Sequence, residues 1–167
     1  MGRIGSGLQP AVLARELAAQ DGKRRPTLGR KGVALLAEMP LFAGLSRRHL
    51  RRIAGLAEEV RFGESRTVVQ KGSRGNAFYV IVEGKARVMA GYSTRTLVRL
   101  GPGDFFGELA LLDGGPRTAS VVADTALTTI RIPRTEFRKM LRSEPDVVIK
   151  ILEELSSRLR SRPAPTD

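Results

Sequence analysis

One stretch of the chain, residues 106–120 (FGELALLDGGPRTAS), combines residue types that could hold a small anion. Residues 107–112 can form only one or two helical turns before the glycine pair at 114–115 ends them. The start of a helix presents unpaired N–H groups that attract negative charge. Arg117 can add two parallel charge-assisted hydrogen bonds to phosphate oxygens. The spacing therefore predicts a site for a phosphate-like group.

A carboxylate in the same stretch indicates that the ligand is more than a phosphate. Glu108 would repel a phosphate, so the ligand is expected to carry a hydroxyl-bearing end as well. A nucleotide ribose meets this requirement, because a carboxylate accepts a hydrogen bond from its 2′-OH. Thr118 and Ser120 add hydroxyls, but strand alternation allows only one of them to face the site.

Length and composition describe one globular domain with short appendages. The 167 residues include 41% apolar ones, enough for a core. No apolar run is long enough to span a bilayer, and the N-terminus lacks the apolar segment of a secretory signal, so a membrane partner is not expected. The absence of cysteine excludes disulfides and thiolate metal sites and favours a cytoplasmic location.

The charge balance favours an anionic partner, and the composition argues against catalysis. The formal net charge is +12, but the arginines are scattered and aromatics are only 5% of the residues, too few for stacking on single-stranded nucleic acid. The single histidine, His49, is expected to be a plain surface residue, so neither a catalytic triad nor a metal centre can be drawn around it. We expect a non-enzyme without metal or cofactor.

The pattern of apolar residues divides the chain into three parts. Residues 1–32 are interpreted as a basic appendage. Residues 33–57 have a helical period, with Ser46 as an N-cap. Short β-favouring runs separated by glycines fill residues 60–133 and predict a small antiparallel jelly-roll barrel. The helical period returns after Pro133, so the predicted class is α+β, with helices on both sides of the barrel.

Two helical faces have alternative interpretations. In the last helix, which begins at Pro145, the 4-3-4 spacing of Val148, Leu152, Leu155 and Leu159 predicts a packing stripe. Docking of this stripe on the barrel is favoured over a homodimer formed through the helix. An earlier face is predicted to be solvated, with a docking patch as the alternative; it carries Arg47, Arg48, Arg51 and Arg52.

The 106–120 stretch resembles the phosphate-binding cassette of cyclic nucleotide-binding domains. These domains occur in regulatory subunits of cAMP-dependent kinase, in the catabolite activator protein and in cyclic-nucleotide-gated channels. The similarity extends to Gly72, to residues 78–88 and to residues 101–105, and it covers about residues 35–159. One departure is visible: the family usually has glycine three residues after the aromatic at Phe62, where this chain has Ser65. That turn lies outside the expected pocket.

The resemblance implies a complete domain and a set of ligand contacts. The domain would be a jelly-roll barrel (a double-stranded β-helix) over residues 33–162, with B- and C-type helices at its end, a lid helix at about 145–161, and a tail at 163–167. Arg117 would bind the cyclic phosphate and Glu108 the ribose. The remaining expected contacts are Gly107, Leu109 and Ala110 near the phosphate; Thr118 and Ala119 beside Arg117; Val88, Val98 and Leu100 along the base; and Arg158, as a base-capping residue or a solvated one.

Because the cassette arginine and glutamate are both present, the sequence predicts a competent pocket for cAMP, cGMP or both. The expected function is a stand-alone cyclic nucleotide sensor with a protein partner that the sequence does not identify. Because few residues follow Pro145, an appended DNA-binding domain is not expected. The alternative is a basic, nucleic-acid- or membrane-associated scaffold that keeps the fold without using the pocket.

Overall fold

The computed structural model describes residues 28–90 and 95–161. Two sets of helices flank a β-barrel. The first set is α1 (Gly29–Glu38), a 3₁₀ turn (Pro40–Phe42) and α2 (Arg47–Leu56). The last set is α4 (Arg134–Ser143) and α5 (Pro145–Arg160), and a short helix, α3 (Glu108–Asp113), interrupts the strands. Helix α1 therefore runs across the predicted boundary at residue 32.

Two four-stranded sheets form the barrel, with the orders β1-β8-β3-β6 and β2-β7-β4-β5 and antiparallel pairing throughout. This confirms the predicted antiparallel jelly-roll fold with flanking helices. The strands are β1 (Glu58–Phe62), β2 (Thr67–Val69), β3 (Ala77–Glu83), β4 (Ala86–Met89), β5 (Thr96–Leu100), β6 (Phe105–Phe106), β7 (Ser120–Ala123) and β8 (Leu127–Pro133).

Strand β3 explains how the helices attach to the barrel. Its side chains alternate between two apolar clusters, as period-two geometry requires. Phe78 and Val80 pack with the helices, whereas Tyr79 and Ile81 pack between the two sheets. The strand is thus buried on both faces, which accounts for its continuous apolar sequence.

The predicted cap of α2 is confirmed, and His49 lies at the surface as predicted but has a partner that the sequence did not indicate. The Ser46 Oγ accepts a hydrogen bond from the His49 N–H at 3.3 Å. The His49 side chain is 40% exposed, and its Nδ1 lies 3.1 Å from Oε1 of the buried Glu144. It therefore contacts the junction between α4 and α5 rather than pointing freely into solvent. Among the described helices, none is both long and apolar enough to cross a membrane.

The predicted packing stripe of the last helix is wrong. Val147 and Ile151 are buried, whereas Leu152 and Leu159 are 56% and 66% exposed. Of the predicted stripe, Leu155 packs against the helix-side core. Apolar residues occupy several faces of α5, so spacing alone did not identify the buried one. Val147 lies in the first turn of the helix, three residues after the buried Glu144, and its N–H donates to the Glu144 carbonyl.

Candidate functional site

Helix α3 begins next to the Arg117 side chain. Gly107 precedes the helix with φ of 91°, a left-handed conformation that glycine adopts without a steric penalty. A Cβ atom at Gly107 would lie 2.6 Å from Nη1 of Arg117 and 3.1 Å from the Ala77 carbonyl oxygen. Glycine is therefore required both by the backbone and by the approach of the guanidinium. The predicted short helix is confirmed.

Arg117 is fixed from several directions. Its Nη1 donates to the Gly107 carbonyl at 2.7 Å and its Nη2 to the Ala77 carbonyl at 2.8 Å. Its backbone N–H donates to the Ser73 carbonyl, and its own carbonyl accepts from the Gly72 N–H, both at 2.8 Å. The side chain is buried, yet two contacts use only two of the five guanidinium N–H groups. The others can serve an anionic ligand.

Burial of Arg117 affects its pKa but not its charge at neutral pH. Desolvation lowers the pKa of Arg117, and the nearby Tyr79 and Glu108 oppose that effect. Because the ordinary pKa of arginine is so high, the side chain stays positively charged at neutral pH. The site therefore holds a buried cation whose free donors have a fixed direction.

Glu108 is a buried carboxylate with one unoccupied acceptor. Its side chain is 6% exposed, and its Oε1 lies 3.5 Å from Nη1 of Arg158. Its Oε2 is buried and has no hydrogen-bond partner among the described residues. Desolvation raises the pKa of Glu108, while Arg158 and Arg117 oppose the rise. Buried polar atoms in native proteins normally have partners, so Oε2 points to a donor supplied by a ligand.

Arg158 joins α5 to the cassette. Its Nη2 donates to the Phe105 carbonyl at 2.6 Å, its Nε to Glu154 at 3.0 Å, and its guanidinium lies 4.8 Å from the centre of the Phe105 ring. The side chain is 17% exposed, so the solvated alternative is wrong. The structure places Arg158 against the carboxylate expected to bind ribose, and its base-capping role stays a prediction.

The three residues predicted to line the base lie together on one hairpin. Val88 on β4 is directly opposite Val98 on β5, and Leu100 is opposite Ala86 two residues further along. The two valines are half-buried and pack against the cluster between the sheets, to which the buried Leu100 belongs. They form an apolar wall in the barrel, while their contact with a base stays a prediction.

The two cassette hydroxyls have different environments, as strand alternation predicts. Ser120 is buried, and its Oγ accepts a hydrogen bond from the Lys71 N–H at 2.9 Å, which ties β7 to the end of β2. Thr118 is exposed and Ala119 is half-buried. Ala110 is buried, whereas the Leu109 side chain lies outside the described part of the structure. Thr118 is thus the hydroxyl that remains accessible.

Sequence reasoning missed three partners of the site residues. The Ala77 and Gly107 carbonyls hold Arg117, and backbone carbonyls leave no signature in a sequence. The Phe105 ring under Arg158 was visible only as part of an apolar run. Lys150 anchors the middle of α5 by donating to the Pro40 and Ala43 carbonyls at 3.0 and 2.6 Å, another contact to backbone oxygen.

Comparisons with known proteins agree with this geometry. The cAMP-dependent protein kinase regulatory subunit of Aspergillus fumigatus is 35% identical over 115 residues, which are 69% of this chain and 28% of that protein. The crystal structure of the Thermus thermophilus catabolite activator protein is 31% identical, with a TM-score of 0.63, over 72% of this chain and 58% of that one.

A third comparison, below 25% identity, shows likeness of fold alone. It is the regulatory subunit of a cAMP-independent protein kinase A from Trypanosoma cruzi, bound to guanosine, with 23% identity and a TM-score of 0.67 over 90% of this chain and 48% of that one. The chain spans less than a third of the length of the fungal kinase subunit that it matches.

A family-level match covers the barrel and the cassette together. The family model described as "Cyclic nucleotide-binding domain" matches residues 59–144, which run from β1 to the end of α4. This range contains the buried pair Glu108 and Arg117 and the hairpin that carries Val88 and Val98. With the two-sheet barrel and its flanking helices, these findings show that the chain belongs to the cyclic nucleotide-binding domain family.

Proposed function

We propose that this protein is a cyclic nucleotide sensor that binds cAMP, cGMP or both in the pocket around α3. One observation carries the proposal: the buried Glu108 Oε2 lacks a donor close to a buried arginine with free N–H groups. One ligand end must therefore donate a hydrogen bond while the other carries negative charge. The ribose 2′-OH and the cyclic phosphate of these nucleotides supply the two groups.

The phosphate end of the ligand is assigned to Arg117. Because the Gly107 and Ala77 carbonyls orient the guanidinium, little side-chain entropy is lost when it binds an anion. Burial strengthens the charge interaction relative to a surface site. The backbone amides at the start of α3 are proposed to add donors on the same side.

The C-terminal helix is proposed as the lid. Arg158 contacts Oε1 of Glu108, while Oε2 is left to accept the ribose hydroxyl. The two contacts use different oxygens of one carboxylate, so ligand binding and closure of α5 are compatible and support each other. The ligand then shifts an equilibrium between open and closed positions of α5 by binding the closed position more tightly.

A thermal-shift and calorimetry panel tests the proposal. The ligands are cAMP, cGMP, 2′-deoxy-cAMP, AMP and guanosine; the last is included because the Trypanosoma cruzi relative is bound to it. A bound nucleotide at a hundred times its dissociation constant should stabilise the fold by about 2.7 kcal/mol. We expect cAMP or cGMP to bind more tightly than 2′-deoxy-cAMP and than AMP and guanosine, which lack a cyclic phosphate.

The panel separates the proposal from its alternatives. If neither cyclic nucleotide changes the melting temperature, the sensor proposal is refuted and the basic scaffold alternative gains support. Tighter binding of guanosine than of both cyclic nucleotides would contradict the assignment of Arg117 to the phosphate, because guanosine has none. Equal affinity for cAMP and 2′-deoxy-cAMP would show that Glu108 does not contact the ribose.

Self-association through α5 stays a prediction, and two residues of the predicted stripe, Leu152 and Leu159, lie on the face that it would use. Ile149, Leu152 and Leu159 are more than half exposed, so α5 carries an apolar face that the domain itself does not cover. Sedimentation equilibrium of the wild type and of a Leu152→Glu variant tests this: a homodimer through α5 should become monomeric in the variant.

A further inference from the structure

A groove lies away from the cassette, between the two N-terminal helices α1 and α2. It has a volume of about 760 Å³. The buried side chains of Leu50 and Ala54 form its floor, and small residues such as Ala37 and Gly55 form its walls. A Cβ atom at Gly55 would meet no other atom within 4 Å. Small walls allow the backbone of another segment to approach closely.

The rim of this groove is positively charged and uncompensated. Arg47 and Arg51, four residues apart on α2, line it, and both are exposed. Within the described residues, neither of them nor their neighbours Arg48 and Arg52 forms an ion pair with an acidic side chain.

Some arginines on the barrel differ from this group. On the barrel, Arg87 pairs with Asp124 and Arg131 with Glu58. Four adjacent guanidinium groups without counterions on one short helix repel each other, and an acidic partner relieves that repulsion. The rim is therefore complementary to carboxylates.

From the apolar floor, the small walls and the unpaired arginines, we propose that the α1–α2 groove docks an acidic amphipathic helix of a partner protein. Apolar side chains on one face of that helix enter the groove beside Val33, Ala34 and Ala37, which are half-buried or exposed. Its carboxylates lie against Arg47 and Arg51. Bidentate geometry makes arginine well suited to such pairs.

Two other classes of occupant match the groove less well. Nucleic acid offers phosphates for the arginines but no apolar side chains for the floor, and a membrane surface is not shaped to enter a concave groove. The chain's own residues 1–27 contain five arginines and lysines against two acidic residues, so their charge opposes docking beside Arg47 and Arg51.

A fluorescence anisotropy titration of the full chain with a designed peptide tests the proposal. The probe is a labelled helical peptide of about 18 residues, long enough to hold a helix, with leucines at i, i+3, i+4 and i+7 and glutamates on the other face. Its counterpart carries lysine at each glutamate position. We expect binding of the acidic peptide and none of the basic one; equal binding of both, or no binding of the acidic one, overturns the proposal.

Matched variants locate the binding surface. Arg47→Glu with Arg51→Glu should weaken the acidic peptide at least tenfold. Arg138→Glu with Arg142→Glu makes the same charge change at the same spacing on exposed positions of α4 and should leave affinity within about twofold. Gly55→Phe, whose Cβ atom would meet no other atom within 4 Å, adds a side chain at the groove and should weaken binding about tenfold without lowering the melting temperature.

The same variants identify a wrong occupant. Equal losses in the α2 and α4 double variants would mean general charge attraction and would overturn the proposal. Tighter, Arg47- and Arg51-dependent binding of a short DNA duplex or of phosphatidylserine vesicles would assign the arginines to a polyanion or a membrane. Loss of self-association in the α2 double variant, measured by sedimentation, would make a second copy of the chain the occupant.

Discussion

Arg117 and Arg158 both act on Glu108, but they belong to differently built parts of the molecule. Arg117 lies between α3 and β7, with two side-chain and two backbone hydrogen bonds to neighbouring segments. Arg158 lies near the end of α5, next to Leu159, which is 66% exposed, and the buried residues of that helix, Val147 and Ile151, are at least two turns earlier. The barrel side of the site is fixed in place, whereas the end of the helix is held by the polar contacts of Arg158 and by the partly buried Leu155.

This difference indicates a division of roles. A donor array that is already oriented contributes to affinity, because little order is lost when the ligand binds. A helix end attached by a few polar contacts can open at modest cost, since regions with little buried apolar surface have low local stability. Changes on the barrel side should therefore alter equilibrium affinity, and changes on α5 should alter the rate of ligand release.

The largest expected effect is at Arg117. Arg117→Lys keeps the charge but loses the planar fork that spans the two carbonyls and the phosphate, so we expect binding to weaken by roughly 1.5–3 kcal/mol. Isothermal calorimetry with cAMP and cGMP measures this. Arg74→Lys, an exposed position on the neighbouring segment, is the matched control and should bind normally. Parental affinity in Arg117→Lys would show that the phosphate assignment is wrong.

Glu108→Gln should separate ligand binding from stability. Binding of ribose nucleotides should weaken by roughly 1–2 kcal/mol, since a neutral amide oxygen is a weaker acceptor than a carboxylate. Without ligand, the variant should be at least as stable as the wild type at neutral pH, because burial disfavours the charged carboxylate. A melting temperature many degrees lower would mean that Glu108 is structural instead.

The pH dependence of stability provides a second way to compare Glu108→Gln with the wild type. The folded-state pKa of Glu108 is raised above its ordinary value. Between the two values the folded state binds more protons than the unfolded state, so the contribution of Glu108 to stability falls as pH rises through that window. Chemical unfolding from acid to neutral pH should show this fall in the wild type, and Glu108→Gln should show a flatter profile.

The sequence contained most of the barrel side of the site and little of the helix side. The short helix, its glycine and the accessible hydroxyl follow from local rules: helix length, left-handed glycine and strand alternation. The contacts of Arg158 depend on the angle at which α5 crosses the barrel, and no local rule sets that angle. The residues that α5 buries are Val147 and Ile151, whereas Leu152 and Leu159 of the predicted stripe are exposed.

His49 illustrates the same limit. One arginine-rich helical turn looks solvated in the sequence, yet tertiary packing brings Glu144 within 3.1 Å of the His49 side chain from a residue 95 positions away. Contacts to backbone carbonyls, such as those of Lys150, are equally invisible before the fold is known. What the sequence could predict was the residues that satisfy a local geometric requirement.

On the helix side, Arg158→Ala should accelerate ligand release. Its contacts to Glu108 and the Phe105 carbonyl disappear, and a loss of about 1 kcal/mol corresponds to roughly fivefold faster dissociation with little change in association. Stopped-flow displacement of a fluorescent cyclic nucleotide measures both rates. The control is Arg160→Ala, because Arg160 lies two residues further along α5 and is exposed. Unchanged dissociation in Arg158→Ala would contradict the lid.

Thr118 tests which nucleotide the barrel side prefers. It lies directly after Arg117 and is exposed, so its hydroxyl can reach the 2-amino group of guanine turned over the ribose, whereas adenine has no such group. Thr118→Ala should weaken cGMP by about 1 kcal/mol, a typical net hydrogen bond, and cAMP by less. Calorimetry with both ligands decides: equal losses would mean that Thr118 serves only the phosphate.

The smallest effect on binding is expected at Ser65, which lies in the turn between β1 and β2. It is the one non-glycine residue with positive φ in the described part of the chain, at 66°. Because a Cβ atom is strained in this conformation, Ser65→Gly should stabilise the fold by roughly 0.5–1 kcal/mol, or about 1–4 °C in melting temperature, even though glycine gains freedom in the unfolded chain. Ser156→Gly, on the exposed face of α5, should instead lower stability, because glycine is unfavourable in the interior of a helix.

Cyclic nucleotide affinity should be unchanged in Ser65→Gly. A change in affinity would show that this turn is coupled to the cassette and that the rigid half of the site extends beyond the hydrogen bonds around Arg117.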